Sequence, residues 1–192
     1  MLDYTPIRSL YLRFGALSND SLTPLSYVVL TLVGQGGAGA HDLVRMARSG
    51  RVYWDAAASQ WYAEPKRLEA LGYLHARKEP GRTRPRTHYT LTDKGREALV
   101  GWMEEPARFP RIQNEAVVRL LAADLVGERA VLKSLSALGD EIAEISARLD
   151  AAEAIATTFP SRAKYLRLNH RLARRVVQAH AEWLDEIRRE LG

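Results

Sequence analysis

The sequence contains no cysteine in its 192 residues, which excludes disulfides, thiol catalysis and cysteine-ligated zinc. It also lacks a long hydrophobic run. The longest, residues 27–33, has seven residues, far short of the roughly 20 that a transmembrane helix needs. Residues 1–14 have no extended apolar core behind their charges, so they make a poor signal peptide. These absences predict a cytoplasmic protein that does not enter a membrane.

Residues with the chemistry of metal binding or catalysis are few and scattered. The five histidines do not fall at the spacing of metal ligands: His41, His75, His88, His170 and His180. No Ser-His-Asp order and no pair of carboxylates stands out as a catalytic centre. We therefore expect no enzyme activity, no cofactor and no metal.

What the sequence does contain is positive charge concentrated in one segment. The net charge is +5, and residues 23–112 hold fourteen basic and nine acidic residues, whereas the segments on both sides are balanced. Within that segment, Arg77–His88 holds five Lys and Arg residues and one acid. Such a focused patch suggests a polyanionic partner, with a solvated basic hairpin as the alternative.

A glycine pattern near residue 35 imitates a dinucleotide-binding fold. Gly34, Gly36 and Gly39 have the spacing G-x-G-x-x-G after an apolar run, and Asp55 follows at about the distance of the ribose-binding acid. That fold needs several parallel strands, and the sequence offers none further along. We interpret the glycines as a loose turn between two helices.

Three helices are predicted in the region that begins at Thr23. A Thr23 cap followed by Pro24 starts the first helix, and Gly34 stands where a C-terminal glycine belongs. Its predicted inner face consists of four apolar residues at helical spacing: Leu25, Val28, Val29 and Leu32. The second helix covers Ala40–Ser49, and the third runs from about Asp55 to Leu71, with Gly72 as a left-handed stop.

The periodicity changes after Gly72. Two short strands flank the turn Pro80–Arg86 and predict a hairpin with a long basic loop. A further helix begins at Asp93, capped by Thr92, and ends by Pro106. Three helices followed by a basic hairpin form the plan of a winged helix-turn-helix, in which the third helix enters the major groove of DNA.

The second half predicts long helices that associate. Seven apolar residues follow a 4-3 heptad seam: Val131, Leu135, Leu138, Ile142, Ile145, Leu149 and Ala152. A last helix from about Ser161 to Leu191 carries its own predicted stripe: Leu168, Leu172, Val176, Ala179, Trp183 and Ile187. We expect the seam to bind a second chain. The predicted dimerisation residues are Leu135, Leu138, Ile142, Ile145, Leu149, Leu172, Val176 and Trp183.

The fold class is therefore mainly α, with an N-terminal winged helix-turn-helix that has a two-stranded wing, followed by long C-terminal helices. The predicted organisation is an N-terminal extension over 1–22, a winged-helix domain over 23–105, a linker over 106–114 and a helical dimerisation domain over 115–192. The extension has apolar residues at helical spacing that suggest a short helix: Ile7, Leu10, Tyr11 and Phe14.

Two stretches of the sequence, SQWYAEPKRLEALGYL and RPRTHYTLTDKGREAL, resemble the PadR family of bacterial transcriptional regulators. The first carries seven residues of the family's recognition-helix motif: Tyr62, Lys66, Arg67, Leu68, Glu69, Gly72 and Leu74. The second carries five residues of the motif that closes the wing: Tyr89, Leu91, Thr92, Gly95 and Leu99. A third run, Gly39, Asp42 and Leu43, is similar to the family's G-Y-E-L. The resemblance covers about residues 24–103.

The resemblance implies a homodimeric transcription factor on double-stranded DNA, commonly a repressor of an inverted-repeat operator that a small-molecule effector relieves. One departure is Pro65, which removes the hydrogen bond to the carbonyl of Trp61, so the recognition helix is expected to bend or to start later than drawn. A winged-helix adaptor that binds a partner protein without specific DNA binding is the alternative function.

The predicted site residues fall into two groups. The expected DNA contacts lie on the third helix and the wing: Ser59, Gln60, Tyr62, Lys66, Arg67, Arg82, Arg84 and Arg86. We expect the wing arginines to contact the backbone and Gln60 and Arg67 to discriminate bases. Two tryptophans, Trp102 and Trp183, are speculative lining residues of an effector pocket.

Overall fold

The computed structural model describes residues 21–34, 36–49, 52–53, 56–80, 85–110 and 112–192. The predicted helix of the N-terminal extension and the wing residues Arg82 and Arg84 lie outside the described residues. The chain divides into two compact units, one formed by residues 1–44 with 57–105 and the other by residues 45–56 with 106–192. The domain boundaries drawn from the sequence stay predictions.

The first unit contains the elements of a winged helix. Its helices are α1 (Pro24–Val33), α2 (Ala40–Ser49, which continues into the second unit), α3 (Ala58–Ala70) and α4 (Asp93–Met103). Its strands are β1 (Ala38–Gly39), β2 (Leu74–Glu79) and β3 (Arg86–Leu91), joined as one antiparallel sheet in the order β1-β3-β2. The wing hairpin pairs Leu74 with Leu91 and Glu79 with Arg86. The predicted fold class is confirmed.

Helix α1 has the predicted ends but a different inner face. The Thr23 side chain accepts from the backbone N–H of Ser26, and Gly34 caps the C-terminus. The buried residues are Ser26, Val29, Leu30 and Val33. Of the four residues on the predicted face, only Val29 is among them, and Leu25, Val28 and Leu32 are half-buried. The Ser26 hydroxyl decides this rotation, because it donates a 2.6 Å hydrogen bond to Glu64 on α3.

The glycine run does more than make a loose turn. Ala38 and Gly39 form β1, and they pair with Tyr89 and His88 of β3. The apparent dinucleotide fingerprint therefore contributes the third strand of the winged-helix sheet. A two-residue strand gives no sequence periodicity, which is why only the two-stranded wing was predicted.

Helix α3 starts at Ala58, three residues later than the predicted start at Asp55, and continues through Pro65. Trp61, Pro65 and Leu68 are buried in the first unit, where α3 packs against α1 and β2. Pro65 therefore lies inside the helix and does not begin it, and the start at Ala58 is set seven residues earlier.

The motif that closes the wing fixes α4 to the turn after α3. The Thr92 hydroxyl accepts from the backbone N–H of Gly95 and lies 2.8 Å from the Gly72 carbonyl and 3.0 Å from the Tyr73 carbonyl. A Cβ on Gly95 would lie 2.3 Å from the Tyr73 carbonyl oxygen, so only glycine fits there. Gly72 has a φ of 78°, as the predicted left-handed stop requires.

The second unit contains five helices among its described residues: α5 (Glu115–Leu121), α6 (Ala123–Val126), α7 (Glu128–Ser134), α8 (Leu138–Ala156) and α9 (Pro160–Leu191). Asn114 caps α5 and its amide nitrogen lies 3.1 Å from Nε2 of His180 on α9. Along the part of the chain that the structure describes, no helix combines the length and apolarity needed to cross a membrane.

The heptad seam is covered by α9 of the same chain. The helix is interrupted after Ser134 and resumes at Leu138, so the seam is shared by α7 and α8. Val131 and Leu135 form one core cluster with two residues of α9, and Leu149 forms another with Ala173 and Val177. Part of the seam therefore packs on an antiparallel helix of the same chain, and dimerisation through the seam stays a prediction.

Helix α9 buries a stripe displaced by about one residue from the predicted one. The buried residues are His170, Ala173, Val177, Leu184 and Ile187, of which only Ile187 belongs to the predicted stripe. Leu168 and Leu172 are each 54% exposed instead. The long helix thus carries two neighbouring apolar stripes, one covered within the chain and one open.

Candidate nucleic-acid interface

The outward face of α3 carries four of the predicted DNA contacts. Ser59, Gln60, Tyr62 and Lys66 are exposed, whereas the opposite face is buried in the first unit. At about 100° per residue they span about 160° around the helix, with Gln60 and Tyr62 at the two edges, and they extend over two turns. The structure therefore brings a hydroxyl, an amide, a phenol and an ammonium group together on one surface.

The Gln60 side chain is held in a defined orientation at the start of α3. Its Oε1 accepts a 3.1 Å hydrogen bond from the backbone N–H of Ala57, while its own backbone N–H donates to the Ala57 carbonyl at 2.9 Å. The amide nitrogen carries two further N–H groups that this bond does not use. Gln60 is thus an oriented donor at the exposed N-terminal end of the helix.

Arg67, which was also predicted to contact DNA, is half-buried and makes contacts within the first unit. Its guanidinium donates to both carboxylate oxygens of Glu64, at 3.0 and 2.7 Å, and to the Ser26 hydroxyl at 2.9 Å. A further bond of 3.2 Å goes to the carbonyl of Ser21. The guanidinium is committed to contacts within the first unit, so base discrimination cannot be assigned to it from this arrangement.

Glu64 is a residue that sequence reasoning missed. It is 9% exposed and accepts from Ser26 on α1 and from Arg67 one turn along α3. Burial acts to raise the pKa of Glu64, but the hydrogen bonds from Arg67 and Ser26 and the charge of Arg67 outweigh it and lower the pKa below 4.5. The only sequence signal was an acid three residues before an arginine in a helix.

The wing carries a carboxylate among its cations. Glu79 accepts from Arg77 at 2.7 Å, and its other oxygen lies 3.6 Å from the Arg86 guanidinium and 3.9 Å from Nδ1 of His88. The hydrogen bond from Arg77, with the nearby positive charges, lowers the pKa of Glu79. Arg86 is thus placed on the wing as predicted. Arg77 and Glu79, which were not among the predicted DNA contacts, lie beside it.

The residues predicted to form a dimer interface take different places in the second unit. Leu135 and Leu149 are buried, and Leu138, Ile142, Ile145 and Trp183 pack against the same two core clusters within the chain. Leu172 is exposed and Val176 is half-buried. Of the whole predicted set, Leu172 is the residue whose apolar side chain is most open to a partner.

The two tryptophans predicted for an effector pocket belong to different units. Trp102 stacks on Tyr27 with ring centroids 4.7 Å apart and an interplanar angle of 10°, and it is 39% exposed. Trp183 packs against the core formed by α7 and α9. A pocket that both line stays a prediction. The residues described by the structure contain no group of three or more His, Asp or Glu side chains arranged to hold a metal.

Comparison with known families connects these features to a function. The model described as transcriptional regulator PadR-like family matches residues 30–100, which hold the last turn of α1, all of α2 and α3, and the wing. The model described as virulence activator alpha C-term matches residues 112–192, which hold α5 to α9. Residues 30–100 therefore match the PadR-like transcriptional regulators, and this match supports a DNA-binding regulator of the winged-helix type, a class of protein that is not enzymatic.

Solved structures show the same fold over nearly the whole chain. PadR of Bacillus subtilis in complex with operator DNA is 21% identical with a TM-score of 0.71, over 90% of this chain and 99% of its own. BC1756 of Bacillus cereus, a PadR-like regulator, is 18% identical with a TM-score of 0.74, over 91% and 99%. The virulence activator AphA of Vibrio cholerae is 26% identical with a TM-score of 0.66, over 87% and 97%. No curated protein matches the chain.

Proposed function

We propose that this PadR-like protein binds an inverted-repeat operator as a homodimer and represses transcription until a small molecule releases it. The observation that carries the proposal is the outward face of α3, where oriented polar side chains lie opposite a fully packed inner face. A helix of this kind fits the major groove, whose base edges present a distinct donor and acceptor pattern for each base pair.

Each exposed group on α3 has a matching partner on a duplex. The Gln60 amide suits the edge of an adenine, to which it can both donate and accept after exchanging its contact with Ala57. Lys66 and the Tyr62 hydroxyl suit phosphate oxygens, which fix the register of the helix in the groove. We assign base discrimination mainly to Gln60 and positioning on the backbone to the other two.

The wing supplies charge rather than sequence readout in this proposal. Arg77 and Arg86 are each more than 60% exposed in their side chains, and the basic loop between the strands adds Arg82 and Arg84 in sequence. Exposed arginines on a hairpin reach phosphates without the fixed geometry that base recognition needs. Each phosphate neutralised adds about 0.9 to the slope of log affinity against log salt.

The open stripe of α9 is the surface that we propose for dimerisation. It contains the exposed Leu168 and Leu172 and the half-buried Val176, and it ends at Trp183, which is half-buried against the core of α7 and α9. Residues 160–181 hold six Lys and Arg and no acid, whereas residues 182–191 hold four acids and two arginines. An antiparallel pair of α9 helices would therefore bring the basic half of each against the acidic half of the other, with leucine opposite tryptophan along the seam.

A groove in the second unit is the place that we propose for the small molecule that releases the DNA. The B. subtilis relative has been solved both with operator DNA and with p-coumaric acid. In this chain, a groove of about 390 Å³ in the second unit combines Leu149 and Val177 with Arg174 and Arg175. That volume is within the range of about 300–1,000 Å³ for ligand sites. Glu182 also lines the groove and Arg174 is paired with Asp150 and Glu153, so Arg175 is the cation that we propose for an organic acid.

Selection of a DNA sequence by the full-length protein tests the central proposal. A randomised duplex library is bound to the wild-type protein, and the enriched sequence is compared with a scrambled duplex in competition binding. We expect Gln60→Ala to weaken the selected duplex by about 1–3 kcal/mol while leaving the scrambled duplex nearly unchanged. Arg86→Ala should weaken both duplexes by similar factors and flatten the salt dependence.

The same experiment separates the proposal from the adaptor alternative. An enriched sequence with twofold symmetry supports an operator read by a dimer. Equal affinity for every duplex would instead leave a protein-binding adaptor whose basic wing serves no sequence recognition. A loss of preference in Arg86→Ala without a loss of scrambled-DNA affinity would show that the wing reads bases.

A further inference from the structure

A buried polar network connects α3 to α1 on the side opposite the outward face. Ser26 on α1 is fully buried, and Glu64 and Arg67 lie one turn apart on α3, with side chains only 11% and 23% exposed. These are the sole polar side chains that join the two helices among the contacts described above. Their arrangement is unlike the aliphatic packing of the rest of the inner face.

The hydrogen bonds of the network meet at the Ser26 hydroxyl. The Ser26 hydroxyl donates to Glu64 Oε1 at 2.6 Å and accepts from Arg67 Nη2 at 2.9 Å and from the backbone N–H of Thr23 at 2.8 Å. The guanidinium binds both oxygens of the Glu64 carboxylate, at 2.7 and 3.0 Å. The ion pair is therefore bidentate and anchored to α1 through a single hydroxyl.

Charged, directional bonds constrain a helix in a way that aliphatic contacts do not. The apolar contacts of Leu68 and Trp61 depend weakly on angle, whereas the two bonds that join Ser26 Oγ to α3, with Glu64 Oε1 and Arg67 Nη2, weaken steeply as the angle changes. The Glu64–Arg67 pair lies within α3 and would turn with it, so a rotation would leave the buried Ser26 hydroxyl without its partners on α3, which is costly. The network therefore fixes the rotation of α3 about its axis as well as its contact with α1.

The outward residues depend on that rotation. Tyr62 and Lys66 flank the network in sequence, so turning α3 to move Glu64 moves them by the same angle. Side chains that read a base must be held within about 0.5 Å and 10–20° of the productive geometry, whereas contacts driven by charge tolerate more. A loosened α3 would lose discrimination before it lost attraction to DNA.

We propose that Ser26, Glu64 and Arg67 are positioning residues for operator recognition, which hold the outward face of α3 in register with the base edges without touching DNA themselves. The inference rests on the proposed function, since it concerns how a DNA-reading helix is held. It assigns Arg67 a role through Glu64 and Ser26 in place of the base contact predicted from the sequence.

Two variants that loosen the network in different ways test the proposal. Ser26→Ala removes the link to α1 but keeps the Glu64–Arg67 pair, and Arg67→Lys keeps the charge but loses the bidentate geometry. Val33→Ala is the matched control, because it removes buried aliphatic contacts of the same helix α1 and leaves the hydrogen bonds of Ser26, Glu64 and Arg67 unchanged. Thermal unfolding of each full-length variant identifies a temperature at which every variant is folded, and the affinities are measured at that temperature.

The measurement is the ratio of affinities for the duplex selected by the wild-type protein and for its scrambled version. We expect Ser26→Ala and Arg67→Lys to lower this ratio by about tenfold, a change of about 1.4 kcal/mol, with the scrambled-duplex affinity within about twofold of wild type. Val33→Ala should keep the wild-type ratio even if its melting temperature falls as far as that of the network variants.

The outcomes are distinct. If both network variants keep the wild-type ratio, or if Val33→Ala lowers it equally, the network only stabilises the fold and the proposal is overturned. If the wild-type protein enriches no sequence, the proposed function fails and the positioning role falls with it. A lowered ratio in the two network variants with an unchanged control supports both.

Discussion

The two compact units differ in what they leave on their surfaces. In the first unit the exposed groups of α3 and the wing are polar or charged, and its few exposed large apolar residues include three near the end of α4: Val100, Trp102 and Met103. In the second unit, exposed apolar side chains occur on α5, α6, α8 and α9, with Leu121 at 73% and Leu125 at 83% exposure. The first surface suits a polyanion, and the second suits another protein surface.

The difference also shows in how each unit is held together. The first unit anchors its main functional helix with a buried ion pair and a hydroxyl, which specify one arrangement. The second unit joins α8 to α9 by aliphatic clusters and by the exposed ion pairs of Arg174 with Asp150 and Glu153, both at 2.6 Å. Directional polar contacts suit a helix whose orientation matters, whereas aliphatic clusters and exposed ion pairs suit helices that associate and adjust.

The largest expected effect is the loss of dimerisation through the second unit. Leu168→Asp with Leu172→Asp places four charges on the open α9 stripes of a dimer and removes four leucines, each worth roughly 1.5–3 kcal/mol on burial. We expect a monomer with an intact fold at micromolar concentration, measured by sedimentation and circular dichroism. A double variant that stays dimeric would exclude this stripe as the interface.

The covered side of the same helices should respond differently. Leu149 is 2% exposed and packs against Ala173 and Val177, so Leu149→Ala should lower the free energy of unfolding by about 2–5 kcal/mol. Leu172→Ala is the matched control, since its side chain is 54% exposed in the chain. Urea unfolding at a concentration that dissociates the dimer makes the comparison, and equal effects would contradict the assignment of the two stripes.

A fall in pH should weaken the network of Ser26, Glu64 and Arg67 in the first unit. The pKa of Glu64 is lowered in the folded protein, so its contribution to stability is present above the ordinary value of 4.5 and is lost as the pH falls through the lower folded value. The stability difference between wild type and Glu64→Gln should therefore shrink between about pH 6 and about pH 3.5. A constant difference across this range, measured by urea unfolding, would show that the charge of Glu64 contributes nothing.

The smallest expected effect concerns the carboxylate on the wing. Glu79→Gln removes the negative partner of Arg77 and Arg86, so the affinity for scrambled duplex should rise by roughly two- to fivefold at low salt. Because the pairs are exposed, the melting temperature should stay unchanged. Glu97→Gln, an exposed acid of α4 outside the wing, serves as the control, and an equal rise there would indicate a general charge effect.

Local signals in the sequence predicted much of the fold. The Thr23 and Thr92 caps, the left-handed Gly72 and the hairpin around residues 80–86 are all present as predicted, because each depends on a few neighbouring residues. The outward face of α3 followed from the helix and from the inward direction of Leu68. Strand β1 could not be predicted, since two residues form a strand only when β3 is already beside them.

What the sequence by itself determined was the kind and order of the elements, the concentration of charge on the wing and the presence of apolar stripes on the long helices. Only the tertiary structure decided which stripe is covered, because neighbouring stripes differ by about one residue, or 100° around a helix, and both are apolar. It also decided that Arg67 faces inward, since a buried acid on the same helix and a hydroxyl on α1 together bind a guanidinium that the linear pattern left beside the outward face.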